Sequence, residues 1–179
     1  MKGNVCSFIG HRPDKFNFQY DETHLDFILL KAKLIIEIEK IYLSGIKIFL
    51  TGCALGVDMW CGEIVLKLKE KYNDIELYCV LAFKNQTKNC SSDYKKRLEI
   101  LLKNSNGVYY TQEKYSKTCY FIRNNFLVDR STVILEVYNK DSNSVGAKKV
   151  LNYAIKSKKE IILLEPNTLE IYKTLVLEL

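Results

Sequence analysis

The sequence predicts an α/β fold: one domain with a mostly parallel sheet of about six strands and helices on both faces. Three observations predict it. Short apolar, β-branched runs alternate with longer segments of helical period along the chain. Glycine, proline or polar clusters punctuate nearly every junction. No internal repeat and no linker-like stretch interrupts the alternation, so 179 residues read as a single unit.

The elements follow in order. Val5 to Ile9 is a strand closed by Gly10, and Pro13 stops its continuation in Gly10-His11-Arg12-Pro13-Asp14. Asp21 to His24 begin a long helix in which Leu25, Ile28, Leu29, Ala32, Ile35, Ile36, Glu39 and Leu43 keep the helical period with one polar intrusion. Gly45 is its C-cap candidate. Ile46 to Leu50 is a second strand, followed by a glycine-punctuated turn and a helix to about Tyr72. Ile75 to Leu81 is a third strand. Lys84 to Ser92 is a polar loop, placed to act as a lid over a site or to serve as plain surface. Ser92-Asp93 caps a helix to about Lys103. Gly107 to Tyr110 is a fourth strand, and a helix from Thr118 puts Arg123 and Leu127 on one face. Ser131 to Tyr138 is a fifth strand. A polar turn over 139–144 leads to Gly146 and a helix to Lys156. Glu160 to Leu164 is a sixth strand ended by Pro166, and Leu169 to Leu179 reads as a short helix or extension. The result is a single Rossmann-like domain with its core at about 4–165 and a C-terminal extension at 166–179.

Composition excludes several classes. Apolar content of 47% and charged content of 27% suit a globular protein, and no run is long enough to span a membrane. The N-terminal residues read as a strand rather than a signal peptide, so the expected location is the cytoplasm. The net charge of +6 comes mainly from dispersed lysines mixed with acids, which argues against a nucleic-acid groove. Arginine is scarce (Arg12, Arg97, Arg123, Arg130), and two of these fall in motif-like segments. The six cysteines show no C-x-x-C and no zinc spacing, so neither a metal nor a required cofactor is expected. Cys6, Cys61 and Cys79 read as small hydrophobes. Cys53 sits by a helix N-terminus, where a thiol pKa can fall, yet no histidine in the motif could activate it.

The stretch Thr51-Gly52-Cys53-Ala54-Leu55-Gly56-Val57-Asp58-Met59-Trp60-Cys61-Gly62-Glu63 carries the chemistry. A strand runs through a turn with two glycines straight into a helix. Backbone N–H groups at Gly52 and Gly56 can approach a ligand closely, and the helix N-terminus adds partial positive charge, a recipe for holding phosphate. The stretch matches neither G-x-G-x-x-G nor G-x-x-x-x-G-K-[ST]. Loops at the carboxyl ends of strands in an open sheet bind ligands, which brings Gly10, His11 and Arg12, the Thr51–Asp58 turn and the 139–146 loop to one edge. Arg123 adds a cation from the helix before the fifth strand. Such a crevice suits a nucleotide or another phosphorylated small molecule.

Gly10-His11-Arg12-Pro13, the Thr51 to Glu63 stretch, and Arg123-Asn124-Asn125 through Val128-Asp129-Arg130-Ser131, in this order, resemble the YpsA-like branch of the SLOG superfamily. The resemblance runs from about residue 5 to about residue 164. It implies a Rossmann-like fold and a nucleotide-type ligand, NAD- or ADP-ribose-like molecules among them. The superfamily includes LOG phosphoribohydrolases and DprA-related single-strand-binding proteins, and some members of this branch occur in phage and mobile elements. The ligand residues it implies are Gly10, His11, Arg12, Thr51, Gly52, Ala54, Gly56, Asp58, Arg123, Asn124 and Gly146. One departure stands out. Where relatives carry a Gly-Gly-Thr-like loop, and LOG enzymes a Glu after it, this chain reads Ser144-Val145-Gly146-Ala147-Lys148 with no Glu following.

Four readings result, the blandest being a degenerate Rossmann domain that only mediates protein contacts. The first is a nucleotide-binding or sensing module with Asp58 on a ribose hydroxyl or ordering the turn. The second is an N-glycosidic hydrolase or transferase with Glu63 or Asp58 as acid/base. The third is a single-strand DNA binder, which the dispersed lysines oppose. The 12 tyrosines leave room for a homo-oligomer face without locating one.

Overall fold

The computed structural model describes residues 4–88, 90–140 and 145–174, with the side chain of residue 145 left aside. Its strands are β1 (Val5–Gly10), β2 (Ile48–Thr51), β3 (Glu76–Leu81), β4 (Gly107–Tyr110), β5 (Val133–Val137), β6 (Glu160–Leu164) and β7 (Ile171–Thr174). Its helices are α1 (Leu25–Leu43), α2 (Val57–Lys69), α3 (Ser92–Asn104), α4 (Cys119–Arg130) and α5 (Val145–Lys156). They build one seven-stranded sheet in the order β4-β3-β2-β1-β5-β6-β7. All neighbours are parallel except the β6–β7 pair. The expectation of about six strands is thus corrected to seven. Ile171 to Thr174 fold back against β6 as an antiparallel edge, because Pro166 and the turn Asn167–Glu170 reverse the chain. The last part of the expected extension, 175–179, lies outside the described residues.

Side-chain alternation assigns the two faces. Cys6 and Phe8 of β1 join Phe49, Leu77, Leu135 and the inner faces of α1, α2 and α3 in the main core. Ile9 and Ile134 face the other way, toward Val128 of α4 and Val150 and Ala154 of α5. Leu50, Val80 and Leu127 continue that second layer. Helices therefore cover both faces, as expected of parallel strands that are apolar throughout.

The face of α1 is a second correction. The residues whose period marked the helix are its outer stripe: Leu25, Ile28, Leu29, Ile35, Ile36 and Leu43 are exposed. The stripe that packs on the sheet is Phe27, Leu30, Leu34, Ile38 and Ile41. Both stripes are apolar, so periodicity gave the helix without choosing its inner side.

Candidate functional site

The chain leaves β1 in one direction, through α1 to β2, and returns to β1's other side only at β5. Loops after β1 and β5 consequently diverge at the carboxyl edge and open a crevice. The loop after β5 is partly described; its 141–144 segment lies outside the described residues. What is described is tied to the first loop. Asn139 Nδ2 donates to the Lys15 carbonyl (3.1 Å), and the His11 ring lies 5.6 Å from that of Tyr138. His11 is buried, and burial lowers its pKa, with Lys15 adding to the effect, which favours a neutral imidazole.

The loops after β1 and β2 interlock through their glycines. A Cβ on Gly10 would lie 2.6 Å from Val57. Gly56 has φ +103°, and a Cβ there would lie 2.5 Å from the His11 carbonyl. That carbonyl accepts the Val57 N–H, at 3.3 Å. Thr51 is wholly buried; its hydroxyl donates to the Asp58 carbonyl (2.6 Å) and accepts from Cys53 N–H (3.1 Å). Cys53 itself takes a left-handed conformation, φ 54°. Its carbonyl accepts from the Tyr94 hydroxyl at 2.7 Å. Contact with the Cys79 thiol and burial push the Cys53 thiol well up, which favours a small buried side chain over a nucleophile.

Gly52 makes room for an ion pair. A Cβ on it would lie 1.4 Å from Arg123 Nη1 and 2.5 Å from Asp58 Oδ2. Arg123 Nη1 donates to Asp58 Oδ2 at 2.9 Å, and both side chains are buried. Burial pushes the Asp58 carboxyl up; the charges of Arg123 and Arg12 and a backbone bond at Ala54 oppose that. Arg123 Nε, buried, has no hydrogen-bond partner among the described residues. Arg12 lies at the mouth: its side chain is exposed, and its charge reaches Asp58, Tyr94 and Tyr120. Among the described residues it has no ion pair. Two guanidiniums, one fixed and one free, thus stand at the turn leading into α2.

Asn124 follows Arg123 on α4 and is half-buried, while Asn125 Oδ1 is buried with no partner among the described residues. Gly146, in the first turn of α5, is exposed, and a Cβ on it would meet nothing within 4 Å. Glu63 lies elsewhere. It faces a cleft of about 690 Å³ bordered by Tyr20, Leu55, Trp60, Asp93 and Arg97, on the α2–α3 side. Arg97 grips its carboxylate from Nε and Nη2 at 2.7 and 2.8 Å and also donates to Glu22 at 2.7 Å. The structure therefore brings Arg12, Gly52, Ala54, Asp58 and Arg123 together and puts Glu63 in a neighbouring cleft, both carboxylate oxygens bound by Arg97.

Glu136 is the residue that sequence reasoning passed over. It is wholly buried in β5 on the face of Ile134, between Ile9 of β1 and Leu163 of β6. Neither carboxyl oxygen has a partner among the described residues, and burial pushes its pKa up to about 8. The available signal was a lone acid inside Val133-Ile134-Leu135-Glu136-Val137. Among the described residues no group of three or more His, Cys, Asp or Glu is arranged to hold a metal, and no helix is long and apolar enough to cross a membrane.

The sequence profile of the YspA SLOG family matches residues 6–169. A UPF0398 protein of Bacillus cereus (strain ATCC 14579) is 28% identical over 162 residues, covering 88% of this chain and 85% of that relative. A UPF0398 protein of Bacillus thuringiensis (strain Al Hakam) is 27% identical over the same length and coverage.

Proposed function

We propose that this chain, which belongs to the YspA SLOG family, binds a nucleotide or nucleotide-derived phosphorylated ligand, ADP-ribose-like molecules included, at the carboxyl edge of its sheet. One observation carries the reading: Arg12, exposed and without an ion pair among the described residues, acts by its charge on the buried Arg123–Asp58 pair at the turn into α2. In this reading Arg12 and the helix N-terminus take the phosphate. Asp58 holds Arg123 in a fixed orientation, so its guanidinium loses little freedom when an anion arrives. Binding is favoured over glycosidic hydrolysis because both motif carboxylates are occupied by arginines. N-glycosidic cleavage needs an acid/base carboxylate able to reach the ribose, whereas both oxygens of Glu63 are bound by Arg97 and Asp58 is buried against Arg123.

The test is a thermal-shift panel of AMP, ADP-ribose and NAD, with chromatography of each mixture after incubation. The reading expects a rise in melting temperature with at least one ligand, abolished by Arg12→Ala, and intact ligand afterwards. Free base released by wild type, and lost in Glu63→Gln or Asp58→Asn, would replace it with the hydrolase reading. No shift with any of the three would count against nucleotide binding.

A further inference from the structure

The outer stripe of α1 is a mainly apolar surface that the fold does not use. Leu25, Ile28, Leu29, Ile35, Ile36 and Leu43 are 40–67% exposed. Together they leave on the order of 500 Å² of apolar surface in solvent, at the upper end of the largest patch on a typical monomer. That is more than half of the roughly 800 Å² each partner gives to a standard interface.

The stripe is also patterned. Leu25, Leu29, Ala32, Ile36, Glu39 and Leu43 follow a 4-3-4-3-4 spacing, the seam of a helix that packs lengthwise on another helix. Glu39, the one acid in that line, is drawn aside by Lys71 (2.8 Å) and the Tyr72 hydroxyl (2.7 Å).

We infer that this chain forms a homodimer in which α1 packs antiparallel on α1 of a second copy across a two-fold axis. The register follows from the residues. An axis at the level of Leu34 sets Leu25 opposite the partner's Leu43 and Ala32 opposite the partner's Ile36. Small faces large at that second pair, which lets the helices approach. The same axis brings Lys40 within about 3 Å, along the helix, of the level of the partner's Asp26. Both lie on one flank of the stripe, 62% and 44% exposed, Lys40 also contacting Glu37 (2.9 Å) and Asp26 accepting from Asn17 within their own chain. A two-fold axis makes the contact twice. A parallel pairing puts this flank of the two helices on opposite sides of the seam, so Lys40 and the partner's Asp26 no longer meet and the complementarity is lost.

Analytical ultracentrifugation of the full chain tests the inference. The wild type is expected at twice the chain mass at about 100 μM. Leu29→Glu/Ile36→Glu is expected to be a monomer that keeps its circular dichroism spectrum and a cooperative melt, because both side chains are exposed. Asp26→Lys is expected to weaken the dimer about tenfold, and adding Lys40→Glu to restore it. A wild type that is monomeric at that concentration overturns the inference. So does a dimer that persists in the Leu29/Ile36 variant, which would place the interface elsewhere. A charge-reversed pair that stays weak overturns the antiparallel register.

Discussion

Two walls meet at the carboxyl edge of the sheet, and they satisfy their polar groups differently. The wall made by β1, β2 and α4 is closed in on itself: Gly10 sits against Val57, Gly56 against the His11 carbonyl, and Gly52 beneath the Arg123–Asp58 pair. Among the described residues, the wall made by β5 and α5 leaves Glu136 buried without a hydrogen-bond partner, and a Cβ on Gly146 would meet nothing within 4 Å. Glycines look alike in a sequence but differ here. Those of the first wall are required by atoms that touch them, and the glycine of the second is not. The turns of the first wall are therefore fixed by contact before any ligand arrives, its unmatched polar atoms being Arg123 Nε and Asn125 Oδ1 among the described residues, whereas the second holds a whole unmatched carboxyl.

Substitutions at these positions break or sharpen that contrast. Gly52→Val drives a side chain into the buried ion pair and is expected to cost about 4–5 kcal/mol, read by denaturant titration. Arg123→Met strands Asp58 as an uncompensated buried charge, at about 3–5 kcal/mol, and the Asp58→Leu/Arg123→Met double variant should recover most of the loss. A double variant as unstable as Arg123→Met alone would show that the pair is not what Gly52 accommodates.

The second wall responds to pH. The Glu136 carboxyl titrates near 4.5 in the unfolded chain and near 8 when folded. Its stabilising contribution is fully present below pH 4.5 and is lost as pH rises toward 8, because only the unfolded chain gives up the proton readily. Glu136→Leu removes that dependence and is expected to raise the melting temperature at pH 8 by roughly 3–8 °C. Equal gains at pH 4.5 and pH 8 would mean that the carboxyl is not protonated in the fold.

Gly146→Ala is expected to stabilise by about 0.5–1 kcal/mol, since the added methyl meets open space inside a helix. Gly56→Ala, at φ +103°, should cost 2 kcal/mol or more, roughly. Arg12→Ala is the smallest change in stability, within about 0.5 kcal/mol, because its exposed guanidinium makes no ion pair among the described residues.

The alternation of elements was legible in the sequence because strand and helix periods differ, and six of the seven strands were located by it. β7 was not, since Ile171-Tyr172-Lys173-Thr174 is too short and too polar to signal a strand without its partner β6. The inner side of α1 was illegible for the reason already given: apolar residues ring the helix. The site's loops were legible through Gly10, Gly52, Gly56 and Arg12. The Arg123–Asp58 pair was not, because the two residues are 65 positions apart and only the fold brings them together. Each was read as a ligand group by itself. Glu63 was read as an acid/base candidate because it and Asp58 are the only carboxylates in the motif, which carries no information about Arg97, 34 positions away.

The central claim is that the free guanidinium of Arg12, over the fixed Arg123–Asp58 pair, receives a phosphate. Calorimetric titration of ADP-ribose into wild type and Arg12→Ala tests it most directly. The account predicts saturable binding by wild type, weakened about 10- to 100-fold in Arg12→Ala with the melting temperature of the free protein unchanged. Equal affinity in the two proteins would contradict it.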